Sequence, residues 1–225
     1  MSPLAELLRA RRTVLLDFDG PICAVFSTIT DRAVATELAA IVGTEQLPPS
    51  VRSANDPFDV LRYVADTGDS KLVAAIETRF RDLECAAVDT AEPTPGAEEV
   101  LRELFARSYR VGVVTNNSAA AADRYLRRLG LRSTVGPIVG RPGARVDLLK
   151  PSPFMLASAM RQLSAQPADA LFVGDSISDV VAGHAAGVAC VALANKPGKA
   201  ARFADLNPEF TITSMFDLLA ALNEG

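Results

Sequence analysis

From Glu98 to the C-terminus, short apolar runs rich in β-branched residues alternate with segments of helical periodicity. This alternation is typical of βαβ units, in which parallel strands form a sheet and helices cover both faces. The pattern predicts strands at Arg110 to Thr115, Leu171 to Val173, Val188 to Leu193 and Phe210 to Thr213, with a shorter candidate at Val135 to Val139. It predicts helices at Ala119 to Leu129, Phe154 to Leu163, Asp179 to Ala186 and Met215 to Leu222. The fold class is therefore α/β, with a doubly wound, Rossmann-like parallel sheet.

The apolar run Thr13 to Phe18 is predicted to be the first strand of the same sheet. The stretch from Ile22 to Thr90 then breaks the alternation, because its apolar residues recur at helical spacing without strand runs between them. The polar, proline-rich segment 89–96 that follows has the composition of a hinge or semi-rigid linker. We therefore predict an α/β core from residues 1–21 and 91–225, interrupted by a small all-helical cap domain at residues 22–90.

Charge and cysteine content indicate which partners and which compartment to expect. The formal net charge of −4 and a pI near 5.1 give no general attraction to nucleic acid or to anionic membranes, so we expect neither as a partner. Three scattered cysteines without a Cys-x-x-Cys pair indicate reduced thiols rather than a disulfide or zinc framework. No uncharged run approaches membrane-spanning length, and a cytoplasmic location is predicted. The sequence does not predict an oligomeric state.

The segment Asp17-Phe18-Asp19-Gly20 places two carboxylates where the first strand runs into a turn. Strand residues alternate between faces, so Asp17 and Asp19 should point the same way, and Gly20 lets the chain turn at once. Neighbouring carboxylates repel each other and raise each other's pKa unless a cation or a shared proton compensates them. A divalent metal with oxygen ligands, most simply Mg²⁺, would do so. The alternative is that both aspartates merely cap the following turn or helix.

Three further segments place polar side chains where a strand ends or a helix begins. Thr115-Asn116-Asn117-Ser118 follows one predicted strand, Lys150-Pro151 precedes a helix, and Gly174-Asp175-Ser176-Ile177-Ser178-Asp179 follows another strand. Ligands of open parallel sheets bind at the carboxyl ends of the strands. We therefore expect these segments and the aspartate pair to form one site.

The four motifs, in this order, resemble those of the haloacid dehalogenase superfamily: Asp-x-Asp-Gly, hydrophobic-Thr-Asn, Lys-Pro and Gly-Asp-Ser-x-x-Asp. The helical insertion directly after the first motif is similar to the phosphoglycolate-phosphatase-like branch, in which a mobile helical cap covers the site. The resemblance implies a magnesium-dependent phosphatase of small phosphate monoesters, with a small phosphorylated metabolite as its partner. Dehalogenase members of the family lack the second aspartate of the first motif. The presence of Asp19 at that position therefore favours phosphate chemistry.

The resemblance also implies a role for each site residue. Asp17 would be the nucleophile that forms an aspartyl-phosphate, and Asp19 the general acid and base. Thr115, the backbone amides that follow it at Asn116 or Asn117, and Lys150 would bind the phosphoryl group.

The same resemblance implies a set of Mg²⁺ ligands. Asp17, the backbone carbonyl of Asp19 and Asp175 would hold the metal, which would bridge the nucleophile and a phosphate oxygen. Asp179 would support the site through water or towards Lys150.

Other charged residues are expected to serve structure. His184 should serve as helix surface or packing rather than in catalysis. The segment Asn195 to Lys199 follows a strand end near the predicted site and could contact substrate or cap, but a turn with a solvated basic pair is favoured. Four arginines of the insertion could bind an anionic substrate tail, although most should lie on solvated helix faces: Arg52, Arg62, Arg79 and Arg81.

Two other functions stay open. A phosphosugar mutase of the same family would return the phosphoryl group to the substrate. A non-catalytic phospho-receiver also combines acids, Thr and Lys on a doubly wound sheet, but it has no reason for a helical insertion after its first strand. The chain departs from the common family pattern at Pro21, which removes a hydroxyl and an amide donor beside the site.

Overall fold

The structure is a computed structural model that describes residues 1–143 and 145–224, apart from the side chain of Thr44. Its larger sheet has six parallel strands in the order β5-β4-β1-β6-β7-β8. These strands are β1 (Thr13–Leu16), β4 (Arg110–Val114), β5 (Ile138–Val139), β6 (Ala170–Gly174), β7 (Ala189–Leu193) and β8 (Phe210–Ile212). The helices outside the insertion are α1 (Pro3–Ala10), α6 (Ala97–Ala106), α7 (Ala119–Arg128), α8 (Phe154–Gln162), α9 (Ile177–Ala185), α10 (Lys199–Phe203) and α11 (Met215–Asn223). The predicted α/β fold with a parallel sheet is confirmed.

Strand β1 lies in the middle of this sheet, between β4 and β6. Thr13 is in register with Arg110 of β4 on one side and with Ala170 of β6 on the other. All four β1 residues are buried, as expected of a strand covered on both faces. The carboxyl ends of β1, β4 and β6 therefore meet at one edge of the sheet.

Several predicted boundaries shift by one to three residues. The first strand ends at Leu16 rather than Phe18, although the amide of Asp17 still donates to the carbonyl of Val173 over 2.9 Å. The strand predicted at Val135 to Val139 contains only Ile138–Val139, although the Gly136 amide and the Pro137 carbonyl still form hydrogen bonds with β4, over 2.8 and 3.0 Å. Helix α9 begins at Ile177, two residues before its predicted start, since Ser176 and Asp179 form a capping box there.

Four helices lie between β1 and α6: α2 (Asp31–Val42), α3 (Pro49–Arg52), α4 (Pro57–Thr67) and α5 (Ser70–Ala87). They enclose an apolar cluster of their own, with Leu38, Leu61 and Phe80 fully buried. Two half-buried residues, Phe26 and Ile29, pack against both this cluster and the main one. No described helix combines the length and the apolar character needed to cross a membrane.

The chain leaves and re-enters the core through a short ladder that the sequence pattern did not predict. Strands β2 (Cys23–Ala24) and β3 (Glu92–Pro93) pair antiparallel, so the prediction that this region has no strands is wrong in detail. Thr94 extends the junction, with its amide 3.1 Å from the Ile22 carbonyl and its hydroxyl 2.5 Å from the Gly20 carbonyl. Each strand of the ladder has only two residues, too few for a side-chain periodicity to be recognised.

Candidate active site

A cavity of about 290 Å³ lies where β1, β4 and β6 end and the helical insertion begins. The core contributes carboxylates, an amine and loop residues, and the insertion contributes the opposite side. The lining residues are Asp17, Asp19, Phe26, Asp31, Asp56, Phe58, Arg62, Thr115, Asn116, Asn117, Lys150, Pro151, Asp175, Ser176 and Ser178. Six of the seven predicted site residues line this cavity, and the seventh, Asp179, is buried directly behind it.

Asp17 is held rigidly at the end of β1. Its side chain is buried, and Oδ1 accepts a hydrogen bond from the Phe18 amide over 2.7 Å and lies 2.9 Å from Lys150 Nζ. Burial raises the pKa of Asp17 well above its usual value, and the Asp179 carboxylate raises it further, while the Lys150 ammonium lowers it. Oδ2 accepts no hydrogen bond from the described residues. One oxygen of this carboxylate is therefore fixed, and the other faces the cavity.

Lys150 and Asp179 form a buried ion pair beneath Asp17. Lys150 Nζ donates to Asp179 Oδ1 over 2.6 Å and to the Val114 carbonyl over 3.2 Å. Asp179 Oδ2 accepts from the amides of Asp175 and Ser176, over 3.0 and 2.9 Å, and from the Ser176 hydroxyl over 2.7 Å. Both oxygens of Asp179 thus accept hydrogen bonds, and this residue orients Lys150 and the loop after β6. Of the two orientations predicted for Asp179, the structure shows the one towards Lys150.

Two glycines allow this close approach of carboxylates. A Cβ atom on Gly20 would lie 2.2 Å from Cγ of Asp175, and Gly20 has a φ of +99°, in the region that favours glycine. A Cβ atom on Gly174 would lie 2.3 Å from Cβ of Asp179. Neither position accepts a larger residue without moving a carboxylate of the site.

Asp19 also faces the cavity but is held differently from Asp17. Its Oδ1 accepts from the Val25 amide over 2.9 Å, which ties Asp19 to the first residues of the insertion. Burial raises the pKa of Asp19 to about 6, and this hydrogen bond opposes the rise. A carboxyl group with such a pKa can hold and release a proton near neutral pH.

Thr115 and Asn117 form a closed turn after β4. The Thr115 hydroxyl donates to Asn117 Oδ1 over 3.2 Å and accepts from the Asn117 amide over 3.1 Å. The hydroxyl must therefore leave Asn117 Oδ1 before it can donate to a ligand. Because the Asn117 amide is already used, the Asn116 amide, which donates to no described residue, is the free one of the two predicted donors.

The Asn116 side chain has a structural role that was not predicted. Its Oδ1 accepts from the Lys150 amide over 2.8 Å, and its Nδ2 donates to the Lys150 carbonyl over 3.2 Å. The two loops that carry Thr115 and Lys150 are thereby fixed to each other.

The acidic residues fit a hard divalent cation. Carboxylate oxygens of Asp17, Asp175 and Asp179 lie within 4.8 Å of one another, and oxygen is the ligand atom that Mg²⁺ prefers. Among the described residues, Oδ2 of Asp17 and Oδ1 of Asp175 accept no hydrogen bond, whereas both oxygens of Asp179 do. The Asp19 carboxylate is not part of this group. Asp17 and Asp175 therefore have the oxygens available to a metal.

Lys199 corrects one prediction. The segment Asn195 to Lys199 was expected to be a turn with a solvated basic pair, but of its two lysines only Lys196 is exposed. Lys199 begins helix α10, its side chain is 11% exposed, and its ammonium group contacts Asp175 Oδ2. The Pro-Gly pair before Lys199 indicates a turn, but it does not indicate that the Lys199 side chain will contact the loop after β6.

The insertion side of the cavity combines two carboxylates and one guanidinium group with the rings of Phe26 and Phe58. Asp31 and Asp56 line it together with Arg62, which lies 2.9 Å from Asp59 and 3.8 Å from Asp56. Burial raises the pKa of Asp31, and the nearby Asp56 carboxylate adds to this effect. Of the four arginines considered in the sequence, only Arg62 lines the cavity; Arg79 pairs with Glu37.

Comparison with known proteins gives consistent matches over most of the chain. The sequence model described as haloacid dehalogenase-like hydrolase matches residues 14–193. A phosphoglycolate phosphatase 1 of Pseudomonas aeruginosa is 32% identical over 227 residues, covering 96% of this chain and 82% of that protein. A phosphoglycolate phosphatase of Pseudomonas fluorescens is 28% identical over 232 residues, covering 97% and 83%. The crystal structure of CbbY from Rhodobacter sphaeroides in complex with phosphate has a TM-score of 0.70 at 20% identity, covering 95% of this chain and 99% of that one. This last similarity concerns the fold alone.

Proposed function

The chain belongs to the haloacid dehalogenase-like hydrolase family, and on that premise we propose that it is a magnesium-dependent phosphatase working through an aspartyl-phosphate at Asp17. The family match and the relatives confirm the predicted class, a hydrolase of small phosphate esters. The observation that carries the mechanism is the arrangement at the end of β1. There, a fixed carboxylate lies 2.9 Å from a buried ammonium group, at the mouth of a cavity that also contains Asp19 and Asp175.

In the proposed reaction, the Asp17 carboxylate attacks the phosphorus atom and the bond to the ester oxygen breaks. Asp19 gives its proton to the departing alkoxide, so that an alcohol leaves and the phosphoryl group stays on Asp17. Asp19, now ionised, takes a proton from a water molecule that attacks the aspartyl-phosphate. Inorganic phosphate leaves, and Asp17 returns to its carboxylate form. The raised pKa of Asp19, about 6, supports this double role.

Three groups of the core are proposed to bind the transferring phosphoryl oxygens. These are the Lys150 ammonium group, the Thr115 hydroxyl after it turns away from Asn117, and the Asn116 amide. The Lys150 ammonium group and the Asn116 amide already line the cavity before any ligand arrives, and of the three groups the Thr115 hydroxyl is the one that has to turn. Lys150 also favours the ionised form of Asp17, the form that attacks.

Asp17 and Asp175 are the residues proposed to hold Mg²⁺, with the backbone carbonyl of Asp19 as a further oxygen ligand. When bound, Mg²⁺ supplies charge neutralisation and a Lewis acid at a phosphate oxygen. Asp179 supports the site by fixing Lys150 and the amides of Asp175 and Ser176.

We further propose that residues 22–90 form a cap domain over a core of residues 1–21 and 91–225. The separate apolar cluster of α2–α5 and the two-stranded junction of β2 and β3 support this division. A cap that closes would exclude water until the substrate is bound. The substrate is then a small phosphorylated metabolite that contacts the insertion side of the cavity. Cytoplasmic location stays a prediction from the cysteine pattern.

Release of phosphate from a panel of monoesters, including phosphoglycolate and sugar phosphates, would test the proposal. We expect Mg²⁺-dependent release by the wild-type protein and loss of at least a thousandfold in Asp17→Asn, whose side chain keeps its shape but cannot attack.

The proposed function would be refuted if the wild-type protein released no phosphate from any ester in the presence of Mg²⁺ and if Asp17→Asn were indistinguishable from it in folding and activity. A mutase would be recognised by an isomerised sugar phosphate instead of free phosphate.

A further inference from the structure

A buried ion pair joins the insertion to the core behind the cavity. Arg141 follows β5, and Glu84 lies in the last turns of α5. Both side chains are fully buried, and they form two parallel hydrogen bonds, Nη1 to Oε1 over 2.9 Å and Nη2 to Oε2 over 3.0 Å. Arg141 also stacks 4.2 Å above the ring of Phe80. A bidentate pair of this kind is geometrically specific, and its burial is costly unless further polar contacts satisfy both groups.

Apart from the contact of Glu77 with Arg141 Nε, those further contacts fall on the loop after β4. Glu84 accepts from Asn117 Nδ2 and from the Ser118 amide, each over 3.0 Å, at the N-terminal end of α7. Arg141 Nη1 donates to the Asn116 carbonyl over 3.0 Å, and the Arg141 amide donates to the Asn117 carbonyl over 2.8 Å. The pair therefore contacts three consecutive residues of this loop.

The same loop presents the groups proposed to bind phosphate. Asn117 exchanges hydrogen bonds with the Thr115 hydroxyl, and the Asn116 side chain fixes the backbone of Lys150. A change in the position of Glu84 would thus reach Thr115 through Asn117. Because Glu84 belongs to the insertion, the loop geometry also depends on where helix α5 lies.

We propose that Glu84 and Arg141 are positioning residues that hold the phosphate-binding loop in its reactive geometry and anchor helix α5 to it. This inference rests on the proposed function, since it assigns the loop to phosphate. A positioning role and a purely electrostatic effect of Glu84 predict opposite changes in phosphate affinity. Removing a negative charge near the loop would tighten the binding of an anion, whereas loss of the loop's geometry would weaken it.

Calorimetric titration of inorganic phosphate into the Mg²⁺-loaded protein tests the proposal without requiring turnover. In Glu84→Gln we expect the dissociation constant for phosphate to rise about tenfold, as expected for the loss of one charge-assisted hydrogen bond. Glu77→Gln is the matched control, because Glu77 lies on the same helix and contacts Arg141 Nε over 2.8 Å. Glu77 has no described contact with the loop, so phosphate affinity should change less than twofold.

If Glu84→Gln does not fold, Arg141→Lys tests the same link, because it keeps the positive charge but removes the paired hydrogen bonds to Glu84 and the bond to the Asn116 carbonyl, without touching Thr115. Equal or tighter phosphate binding in the folded variant, at a lowered melting temperature, would show a purely structural role and overturn the proposal. Failure of the wild-type protein to bind phosphate would overturn it as well. A wild-type protein that binds phosphate but hydrolyses no ester would refute the proposed function while leaving this test valid.

Discussion

Replacement of Lys150 by methionine should destabilise the metal-free protein strongly. The Lys150 ammonium group is almost completely buried, with a side-chain exposure of 2%, and lies between two carboxylates that are also buried. Methionine has a similar length and can keep the apolar contacts of the stem, so the main loss is the charge. After the change, Asp17 and Asp179 face each other without a compensating cation.

The expected magnitude follows from the contacts. Lys150 Nζ lies 2.9 Å from Asp17 Oδ1 and 2.6 Å from Asp179 Oδ1, and it donates to the Val114 carbonyl over 3.2 Å. Removing one member of a buried ion pair costs about 3–5 kcal/mol, because the remaining charge is left uncompensated. With a dependence of about 3 kcal/mol per molar urea for a chain of this size, the unfolding midpoint should fall by about 1–2 M.

Urea unfolding at pH 7.5 in EDTA measures this change, with Lys71→Met as the control, since Lys71 is exposed on α5. The loss should shrink at pH 5.5. Lys150 lowers the pKa of Asp17, so its removal raises that pKa further, and the folded variant then binds a proton that the unfolded chain does not. The free energy of unfolding of the variant therefore rises as the pH falls.

A midpoint within about 0.3 M of the Lys71→Met protein would refute the electrostatic reasoning. So would a loss that is the same at pH 5.5 and pH 7.5. Either result would mean that Asp17 and Asp179 do not depend on the Lys150 charge.

Two further predictions concern the metal site. Lys199→Ala should increase the affinity for Mg²⁺ about tenfold, because the Lys199 ammonium group competes with a cation for Asp175, whereas Lys196→Ala should change the affinity little. Calorimetric titration of Mg²⁺ without substrate measures both variants, and an unchanged affinity in Lys199→Ala would exclude the competition. For the wild type in EDTA, the free energy of unfolding should rise as the pH falls from 8 to 6, since burial raises the pKa of Asp17 and Asp175 and raises that of Asp19 to about 6, so the folded state retains protons that the unfolded state loses. Saturating Mg²⁺ should flatten this pH dependence, because it favours the ionised carboxylates. Urea unfolding at pH 8 and pH 6 measures the effect, and a lower stability at pH 6 than at pH 8 in EDTA would contradict the raised pKa values of these carboxyl groups.

The buried strands and the residues at their ends were predictable from local patterns. A short apolar run that is rich in β-branched residues and bounded by turn residues indicates a buried strand, and parallel strands bring their carboxyl ends to one edge. Asp17, Thr115 and Asp175 could therefore be assigned to one cavity without coordinates. The helical character of α4 and α5 followed from apolar spacing in the same way.

The sequence by itself determined the alternation of strands and helices in the core, the parallel sheet and the chemical groups at its edge, because each of these depends on residues that are close together in the chain. Tertiary structure alone decided which distant charges meet. Glu84 and Arg141 are 57 residues apart and Lys199 and Asp175 are 24 apart, and each lies in a local sequence that would suit a solvated side chain. Their burial depends on how α5, α10 and the loops after β5 and β6 pack against one another, and nothing in the local spacing of residues encodes that approach.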